Sequence, residues 1–238
     1  MVNIQKAAVI GCGFVGSTIA YTLMQKGLFS EMVLLDANKA KAEGEAMDIS
    51  HGLPFTHAMD IYAGEYEDIA DASVVIITAG ANQKPGETRL DLVQKNAAIM
   101  RSIIKEIKRV NCEGILLIVS NPVDILTEVA LRESGFPKER VIGSGTVLDT
   151  ARLKYIISEK LDVDSRNVHA FIVGEHGDSE LAAWSCANIY GIKLQDFAKM
   201  RGYEHFAQDM EEVYKGVRDS AYEIIERKGA TYYGIGMA

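Results

Sequence analysis

The sequence predicts an α/β protein in which a doubly wound parallel sheet precedes a second, smaller α+β region. Through the first half, apolar runs of Val, Ile and Leu alternate with helical stretches. Strands that are covered on both faces of a parallel sheet have this composition. The first run ends in a turn with glycines spaced G-x-G-x-x-G. The alternation stops after about residue 145, so we expect one domain over residues 1–145 and another over residues 146–238.

The strands and helices of the first domain follow from these runs. Periodic apolar residues between the runs predict helices over 15–27, 90–110 and 124–135, and Gly27 closes the first of them. The runs that predict strands are KAAVIG at 6–11, EMVLLDA at 31–37, ASVVIITAG at 72–80, GILLIVSNP at 114–122 and RVIGSG at 140–145.

The second domain shows a different pattern. A helix is expected over 146–161, followed by the apolar run NVHAFIV at 167–173, which we interpret as a buried strand. A long helix is expected from Gly202 to Lys228. Its apolar residues recur at helical spacing: Met210, Val213, Tyr214, Val217, Ala221, Ile224 and Ile225.

Composition and charge exclude several classes of protein. The chain has 238 residues, 48% of them hydrophobic and 24% charged, with a net charge of −8. This balance is ordinary for a globular protein and offers no broad basic surface for nucleic acid or an anionic membrane. An odd set of three cysteines argues against a disulfide framework and a metal site, and favours a cytoplasmic location. We see no signal peptide and no run long enough to span a membrane.

The glycine-rich turn predicts a dinucleotide site. Gly11, Gly13 and Gly16 lie between a predicted strand and a predicted helix, and Asp36 ends the second strand 20 residues after Gly16. Backbone amides at the start of that helix would hold a pyrophosphate. Asp36 would accept hydrogen bonds from ribose hydroxyls and repel a 2′-phosphate, so NAD is expected rather than NADP.

Four further motifs lie at the ends of predicted strands: TAGANQKPGETRLDLVQKN, SNPVD, GSGTVLDTARL and VGEHGDS. Together with the glycine turn they resemble the lactate/malate dehydrogenase family, and its bacterial L-lactate branch in particular, from about residue 6 to residue 238. The resemblance implies a Rossmann domain joined to a catalytic domain. It also implies hydride transfer between NAD and a 2-hydroxy acid, and a homo-oligomer, which is a tetramer in complete members.

The resemblance assigns catalytic roles to individual residues. His176 matches the acid/base, and Asp149 matches the carboxylate that orients it. Arg152 lies three residues after Asp149 on the same predicted helix and matches the residue that binds the substrate carboxylate. Arg89 matches the arginine that a closing loop brings to the substrate ketone.

The substrate is indicated by three other matches. Asn121 matches a residue that touches both nicotinamide and substrate. Gln83 stands where malate dehydrogenases carry an arginine that faces a second carboxylate, so pyruvate is expected over oxaloacetate. Thr231 matches a small polar residue that lines the same pocket.

The resemblance also extends to cofactor and regulatory positions. His169 and Lys154 match positions that bind fructose 1,6-bisphosphate between subunits in activated bacterial members, with a lysine where those members have arginine. The remaining cofactor positions are Val15, Lys41, Tyr66, Gly80, Ala81, Ser102, Val119, Asn121 and Ser144.

Two alternatives to a pyruvate-reducing enzyme stay open. Family members are about a quarter to a third longer than this chain. We therefore expect an incomplete catalytic domain, weak turnover and a tendency to aggregate, and the chain could be an inactive nucleotide-binding remnant. The other alternative is a dehydrogenase for another 2-hydroxy acid, either malate or a branched one.

Overall fold

The computed structural model describes residues 1–81, 86 and 88–238, with the side chain of Arg89 left aside. The chain forms two compact units. Unit 1 comprises Met1–Ser144 together with Ile235–Met237, and unit 2 comprises Gly145–Gly234 together with Ala238.

Unit 1 is built on a six-stranded sheet, in which every neighbouring pair is parallel. The strands are β1 (Asn3–Ile10), β2 (Glu31–Leu35), β3 (Asp60–Ala63), β4 (Ala72–Ile77), β5 (Ile115–Ile118) and β6 (Val141–Gly143). Their order is β3-β2-β1-β4-β5-β6, so the chain reverses direction across the sheet between β1 and β4. Sheets of this type bind ligands beside the carboxyl ends of the strands at that reversal. The predicted doubly wound parallel sheet is confirmed.

Helices cover both faces of this sheet, as the apolar runs predict. The helices are α1 (Phe14–Lys26), α2 (Lys39–Ser50), α3 (Arg89–Arg109) and α4 (Val123–Ser134). Alternate residues of β1 point to opposite faces: Val9 packs in a core with α1 and α2, while Ala8 packs in a core with α3 and α4. Residues 7–10 of β1 are buried on both faces of the sheet, which explains why this part of the strand is a continuous apolar run.

Two elements of unit 1 escaped the sequence analysis, which expected five strands instead of six. The strand β3 has four residues and only Ile61 is buried, because it lies at the edge of the sheet. The helix α2 is rich in charge and buries only Ala42, Ala46 and Ile49. Neither element carries enough apolar residues for a periodic signal.

Unit 2 packs helices against two small antiparallel sheets. Its helices are α5 (Val147–Leu161), α6 (Leu194–Met200) and α7 (Phe206–Lys228). A short helix, α8 (Tyr233–Met237), begins in unit 2, and its last three residues belong to unit 1. Its strands are β7 (Val168–His169), β8 (Ile172–Val173), β9 (Leu181–Ala182), β10 (Asn188–Ile189) and β11 (Ile192–Lys193). One sheet has the order β11-β10-β7 and the other pairs β8 with β9. The core joins α5 to α7 through Leu153, Ile157, Leu161, Met210, Val213 and Val217.

Two expectations for unit 2 were wrong. The run NVHAFIV is not one buried strand but contributes β7 and β8 to different sheets, with Phe171 and Val173 exposed. The long helix begins at Phe206 and not near Gly202, because Gly202 lies in a turn with a φ of 86° and residues 203–205 lie outside the helix. Three buried residues on alternate positions, Val168, Ala170 and Ile172, gave the run its strand-like appearance.

Across the part of the chain that the structure describes, no helix combines the length and the apolar character needed to cross a membrane.

Candidate active site

A cavity of about 660 Å³ opens beside the reversal between β1 and β4 in unit 1. Its walls include the ends of β1, β2 and β4 and part of α3. The predicted cofactor residues that line it are Gly11, Gly13, Asp36, Lys41, Tyr66, Gly80, Ala81 and Ser102. The cavity thus lies where a doubly wound sheet binds its ligand, and it gathers most of the predicted positions.

The three glycines of the turn have separate steric reasons. A Cβ on Gly11 would lie 2.6 Å from the backbone nitrogen of Ala79, and one on Gly16 would lie 1.9 Å from the carbonyl oxygen of Gly11. A Cβ on Gly13 would meet no atom within 4 Å, because it would project into open space at the start of α1. That space is suited to a pyrophosphate held by helix N-terminal amides.

The carboxylate of Asp36 is oriented by two backbone amides. Cys12 N donates to Asp36 Oδ2 at 2.7 Å, and Asn38 N donates to Asp36 Oδ1 at 2.8 Å. A carboxylate has about four acceptor positions, so two amides leave capacity for ribose hydroxyls. The geometry of the turn and of Asp36 therefore fits an adenine dinucleotide without a 2′-phosphate.

The remaining predicted cofactor residues lie outside the walls of this cavity. Val15 and Val119 pack against the core beneath α1 and α2, and Gly16 supports the turn from within. Ser144 N donates to Ile118 O at 2.9 Å just after β6. Asn121 is exposed in the turn between β5 and α4. Contact of these residues with a cofactor stays a prediction.

Asn96 is a residue of this region that the sequence analysis missed. It is 3% exposed on α3, where its Oδ1 accepts from Ala81 N at 2.8 Å and its Nδ2 donates to Asn121 O at 2.9 Å. One side chain thus joins the segments after β4 and β5. Asn96 shares a helix face with the buried Met100 and Ile104, and a polar residue in such an apolar row was the available signal.

In unit 2, His176 lies in the hairpin loop between β8 and β9. The flanking Gly174 and Gly177 have φ angles of 97° and 117°. Other residues rarely adopt these conformations, so the glycines permit the tight loop that presents the ring. The GEHGDS motif is therefore a turn with a histidine near its centre, and the side chain of His176 is 28% exposed.

The carboxylate of Asp149 receives both His176 and Arg152. His176 Nδ1 lies 2.5 Å from Asp149 Oδ2, and Arg152 Nη1 donates to Asp149 Oδ1 at 2.7 Å. Asp149 is 2% exposed in the first turn of α5, where the helix dipole favours a negative charge. The three predicted residues thus lie together, with His176 and Arg152 both bonded to the carboxylate of Asp149.

Two threonines of α5 hold the hairpin in place. Thr146 Oγ1 donates to Ile172 O at 2.7 Å, and Ile172 N donates to Thr150 Oγ1 at 2.9 Å. Thr146 and Thr150 lie one helical turn apart on the side of α5 that faces β8. Both polar groups of one β8 residue are therefore bonded to the helix that carries Asp149. Both threonines belong to the motif GSGTVLDTARL, but neither was predicted to have a role.

A second carboxyl group, Glu180, lies beside the pair and was also missed. It is 3% exposed, and its carboxyl group lies beside that of Asp149. One carboxyl oxygen of Asp149, one carboxyl oxygen of Glu180 and one ring nitrogen of His176 all lie within 4.8 Å of one another. A glutamate four residues after the histidine, at the far end of the same loop, was the only sequence signal.

The ionisation of the three groups follows from this arrangement. The hydrogen bond with Asp149 raises the pKa of His176 above its ordinary value, although burial opposes it. Burial raises the pKa of Asp149, but the hydrogen bond from His176 and the charges of His176 and Arg152 outweigh it and leave that pKa lowered. Burial and the neighbouring charge of Asp149 raise the pKa of Glu180 to about 7. The site therefore favours ionised Asp149, imidazolium His176 and neutral Glu180.

The structure describes only some of the predicted substrate residues. Gln83 and the side chain of Arg89 lie outside the described part of the chain. Arg152 is 13% exposed and uses one donor on Asp149, which leaves other donors of its guanidinium for a ligand. Thr231 is half-buried between α7 and α8.

The two predicted regulatory residues lie on different elements of unit 2. Lys154 is half-buried on α5, and His169 is exposed on β7, where it pairs with Asn188 of β10. Binding of a bisphosphate by these residues stays a prediction.

Comparison with known proteins agrees with both units. The profile of the lactate/malate dehydrogenase NAD binding domain matches residues 5–143, and that of the lactate/malate dehydrogenase alpha/beta C-terminal domain matches residues 146–238. An L-lactate dehydrogenase of Acetivibrio thermocellus is 56% identical over 235 residues, which cover 99% of this chain and 74% of the relative. An L-lactate dehydrogenase of Priestia megaterium is 56% identical over 233 residues, which cover 98% and 73%.

Solved structures show the same relationship. A lactate dehydrogenase from a Medee basin deep-sea metagenome library is 54% identical with a TM-score of 0.96, covering all of this chain and 75% of the other. The minor L-lactate dehydrogenase of Enterococcus mundtii in its ligand-bound form is 48% identical with a TM-score of 0.94, covering 98% and 74%. On the basis of its fold, its sites and these matches, the chain belongs to the lactate/malate dehydrogenase family.

Proposed function

We propose that this chain is an NAD-dependent L-lactate dehydrogenase that interconverts pyruvate and lactate. The observation that carries the proposal is the buried carboxylate of Asp149, bonded at once to His176 and to Arg152. The curated relatives with the same two domains are named L-lactate dehydrogenases. A proton donor and a cation for a carboxylate are two of the groups that reduction of a 2-keto acid requires from the protein.

The acid–base role belongs to His176. In its imidazolium form both ring nitrogens carry protons, and Nδ1 donates to Asp149 Oδ2. The Asp149 contact holds the ring orientation, so the proton on Nε2 is the one that His176 gives to the substrate oxygen during reduction. During lactate oxidation the neutral ring accepts the same proton back.

Arg152 is the group that we propose for the substrate carboxylate. Its guanidinium is fixed by Asp149 at one donor, and a planar fork of donors suits a carboxylate better than an ammonium does. Because Arg152 and Asp149 lie three residues apart on α5, one helix sets the position of both the substrate anchor and the histidine partner. Gln83 is proposed to favour the methyl group of pyruvate over the second carboxylate of oxaloacetate.

Residues of unit 1 hold the cofactor. Gly11, Gly13 and the start of α1 would receive the pyrophosphate, and Asp36 would receive the ribose. When bound, NADH supplies the hydride that reduces the ketone.

Steady-state assays test the proposal directly. We expect pyruvate-dependent oxidation of NADH, with a higher kcat/KM for pyruvate than for oxaloacetate or a branched 2-keto acid. Preference for oxaloacetate would indicate a malate enzyme, and preference for the branched acid would indicate a different 2-hydroxy acid. Binding of NADH without oxidation of any of the three would contradict the proposed function and favour a nucleotide-binding remnant.

We propose three further properties. Activation by fructose 1,6-bisphosphate through His169 and Lys154 should appear as a lower KM for pyruvate, and replacing Lys154 by Met should remove it. Association into a homo-oligomer is tested by sedimentation. A cytoplasmic location is consistent with the three free thiols of Cys12, Cys112 and Cys186.

A further inference from the structure

The buried carboxyl group of Glu180 has no part in the acid–base chemistry described above, although it lies against it. Its backbone is fixed on both sides: Glu180 N donates to Gly177 O at 3.1 Å, and Tyr214 Oη of α7 donates to Glu180 O. Glu180 is 3% exposed, and one of its carboxyl oxygens lies within 4.8 Å of one from Asp149. The fold thus holds two carboxyl groups together in a buried place.

Two ionised carboxylates this close in a buried place repel each other, and neither can donate a hydrogen bond, because both offer only acceptors. A hydrogen bond between them requires one proton, and the group with less compensation keeps it. Asp149 faces the cations His176 and Arg152, at 2.5 Å and 2.7 Å. The carboxyl group of Glu180 lies near Asp149 and His176, and Tyr214 of α7 lies close to it. Fewer cations therefore compensate a negative charge on Glu180 than on Asp149.

We propose that Glu180 is a positioning residue of the acid–base site. It keeps its own proton and uses it to donate a hydrogen bond to the ionised Asp149, so that Asp149, His176 and Glu180 titrate as a single unit. This inference rests on the proposed function for its effect on catalysis, but the proton on Glu180 can be detected without turnover.

The arrangement has a consequence for the working range of pH. While Glu180 is neutral, it binds Asp149 without adding charge to the site. When Glu180 loses its proton, the new negative charge lies close to His176 and favours the imidazolium form. Glu180 therefore extends the range over which His176 stays protonated toward higher pH, and the two groups titrate together.

Infrared spectroscopy of the full chain detects the proton. At about pH 6 exposed carboxyl groups are ionised, so a remaining protonated-carboxyl carbonyl band reports a group with a raised pKa. We expect this band in the unaltered protein, its loss as pH rises through about 7, and its absence from Glu180→Gln at all of these pH values. The matched control is Glu175→Gln, on the same loop but exposed, and it should keep the band.

A second variant covers the case in which Glu180→Gln fails to fold. Replacing Asp149 by Asn removes a charge that opposes ionisation of Glu180, so the band should disappear at a lower pH than in the unaltered protein. Absence of the band from the unaltered protein at about pH 6, or its persistence in Glu180→Gln, would overturn the proposal.

The catalytic arm measures kcat/KM for pyruvate against pH. In Glu180→Gln the alkaline limb should move to lower pH, with at least about a threefold loss on that limb, and Glu175→Gln should follow the unaltered profile. An unshifted limb in Glu180→Gln would refute the coupling to His176. A chain that shows the infrared band but never oxidises NADH with pyruvate would contradict the proposed function and leave the proton on Glu180 supported.

Discussion

At the scale of single residues, His176 can protonate a substrate only while its ring is an imidazolium. The hydrogen bond with Asp149 raises the pKa of His176. Pyruvate reduction should therefore be fast below that raised pKa and fall as pH rises through it. Lactate oxidation needs the neutral ring and should show the opposite limb.

Replacing His176 by Asn should lower kcat for pyruvate by about two or more orders of magnitude, because the amide cannot donate a proton to the forming alcohol. NADH binding, followed by fluorescence, should be retained. The control is His51→Asn, an exposed histidine at the end of α2, which should turn over normally. Ordinary turnover by the His176 variant would exclude this residue as the acid.

We predict that Asp36 determines the choice between NADH and NADPH. Its carboxylate lines the cavity of unit 1 and is held by the amides of Cys12 and Asn38. We expect NADH to be strongly preferred, and Asp36→Ser to narrow the ratio of kcat/KM for NADH over NADPH, since the variant removes charge repulsion against a 2′-phosphate. Equal use of both cofactors by the unaltered chain would contradict this role.

Gln83 lies outside the described residues, so its prediction rests on the sequence alone. Gln83→Arg supplies the charge partner for a second substrate carboxylate. The ratio of kcat/KM for oxaloacetate over pyruvate should rise by at least about a hundredfold, because a buried carboxylate without a partner costs several kcal/mol. Gln83→Asn, which adds no charge, is the control. If the ratio does not change in the arginine variant, Gln83 does not face the substrate.

At the scale of elements, the position of the catalytic loop depends on α5. Thr150→Val leaves Ile172 N of β8 without its acceptor. We expect a loss of about 1–3 kcal/mol in the free energy of unfolding and a lower kcat, since the loop that carries His176 begins two residues later. Thr127→Val on α4 is matched, because its hydroxyl bonds only to Val123 O of its own helix, at 2.7 Å. Thermal unfolding and turnover of the two variants should differ clearly, and equal behaviour would show that the bond between Thr150 and Ile172 does not help to hold β8.

At the scale of the whole molecule, Glu180 links stability to pH. A buried carboxyl group with a raised pKa binds its proton more tightly in the folded state than in the unfolded state. The contribution of Glu180 to the free energy of unfolding is therefore most favourable below its unfolded pKa of about 4.3. That stability is lost as pH rises toward the folded value of about 7. Glu180→Gln removes this titration. Its free energy of unfolding relative to the unaltered chain should therefore rise between those pH values, by an amount of the order of 2 kcal/mol.

Thermal unfolding across this pH range measures the difference in stability between Glu180→Gln and the unaltered chain. The test is how this difference changes with pH, not its size at any one pH. Glu175→Gln should show no such trend, because that side chain is exposed. A constant difference between Glu180→Gln and the unaltered chain would mean that Glu180 ionises normally in the folded protein.

Much of the fold and the cofactor turn could be predicted from the sequence, because the relevant signals are local. The continuous apolar runs of β1, β2, β4 and β5 follow from burial on both faces, and the spacing of Gly11, Gly13 and Gly16 follows from steric contacts within one turn. Short or charged elements such as β3 and α2 gave no such signal, since their few buried residues carry no period.

The sequence by itself determined the parallel sheet, the glycine turn and the resemblance that singled out His176, Asp149 and Arg152. Only the tertiary structure decided that all three meet on one carboxylate, that Thr146 and Thr150 hold β8 to α5, and that Glu180 is buried against Asp149. The physical reason is that strand and helix patterns depend on neighbours in the chain, whereas a shared proton depends on distance in space. Asp149 and Glu180 are 31 residues apart in the sequence, and no local pattern connects them.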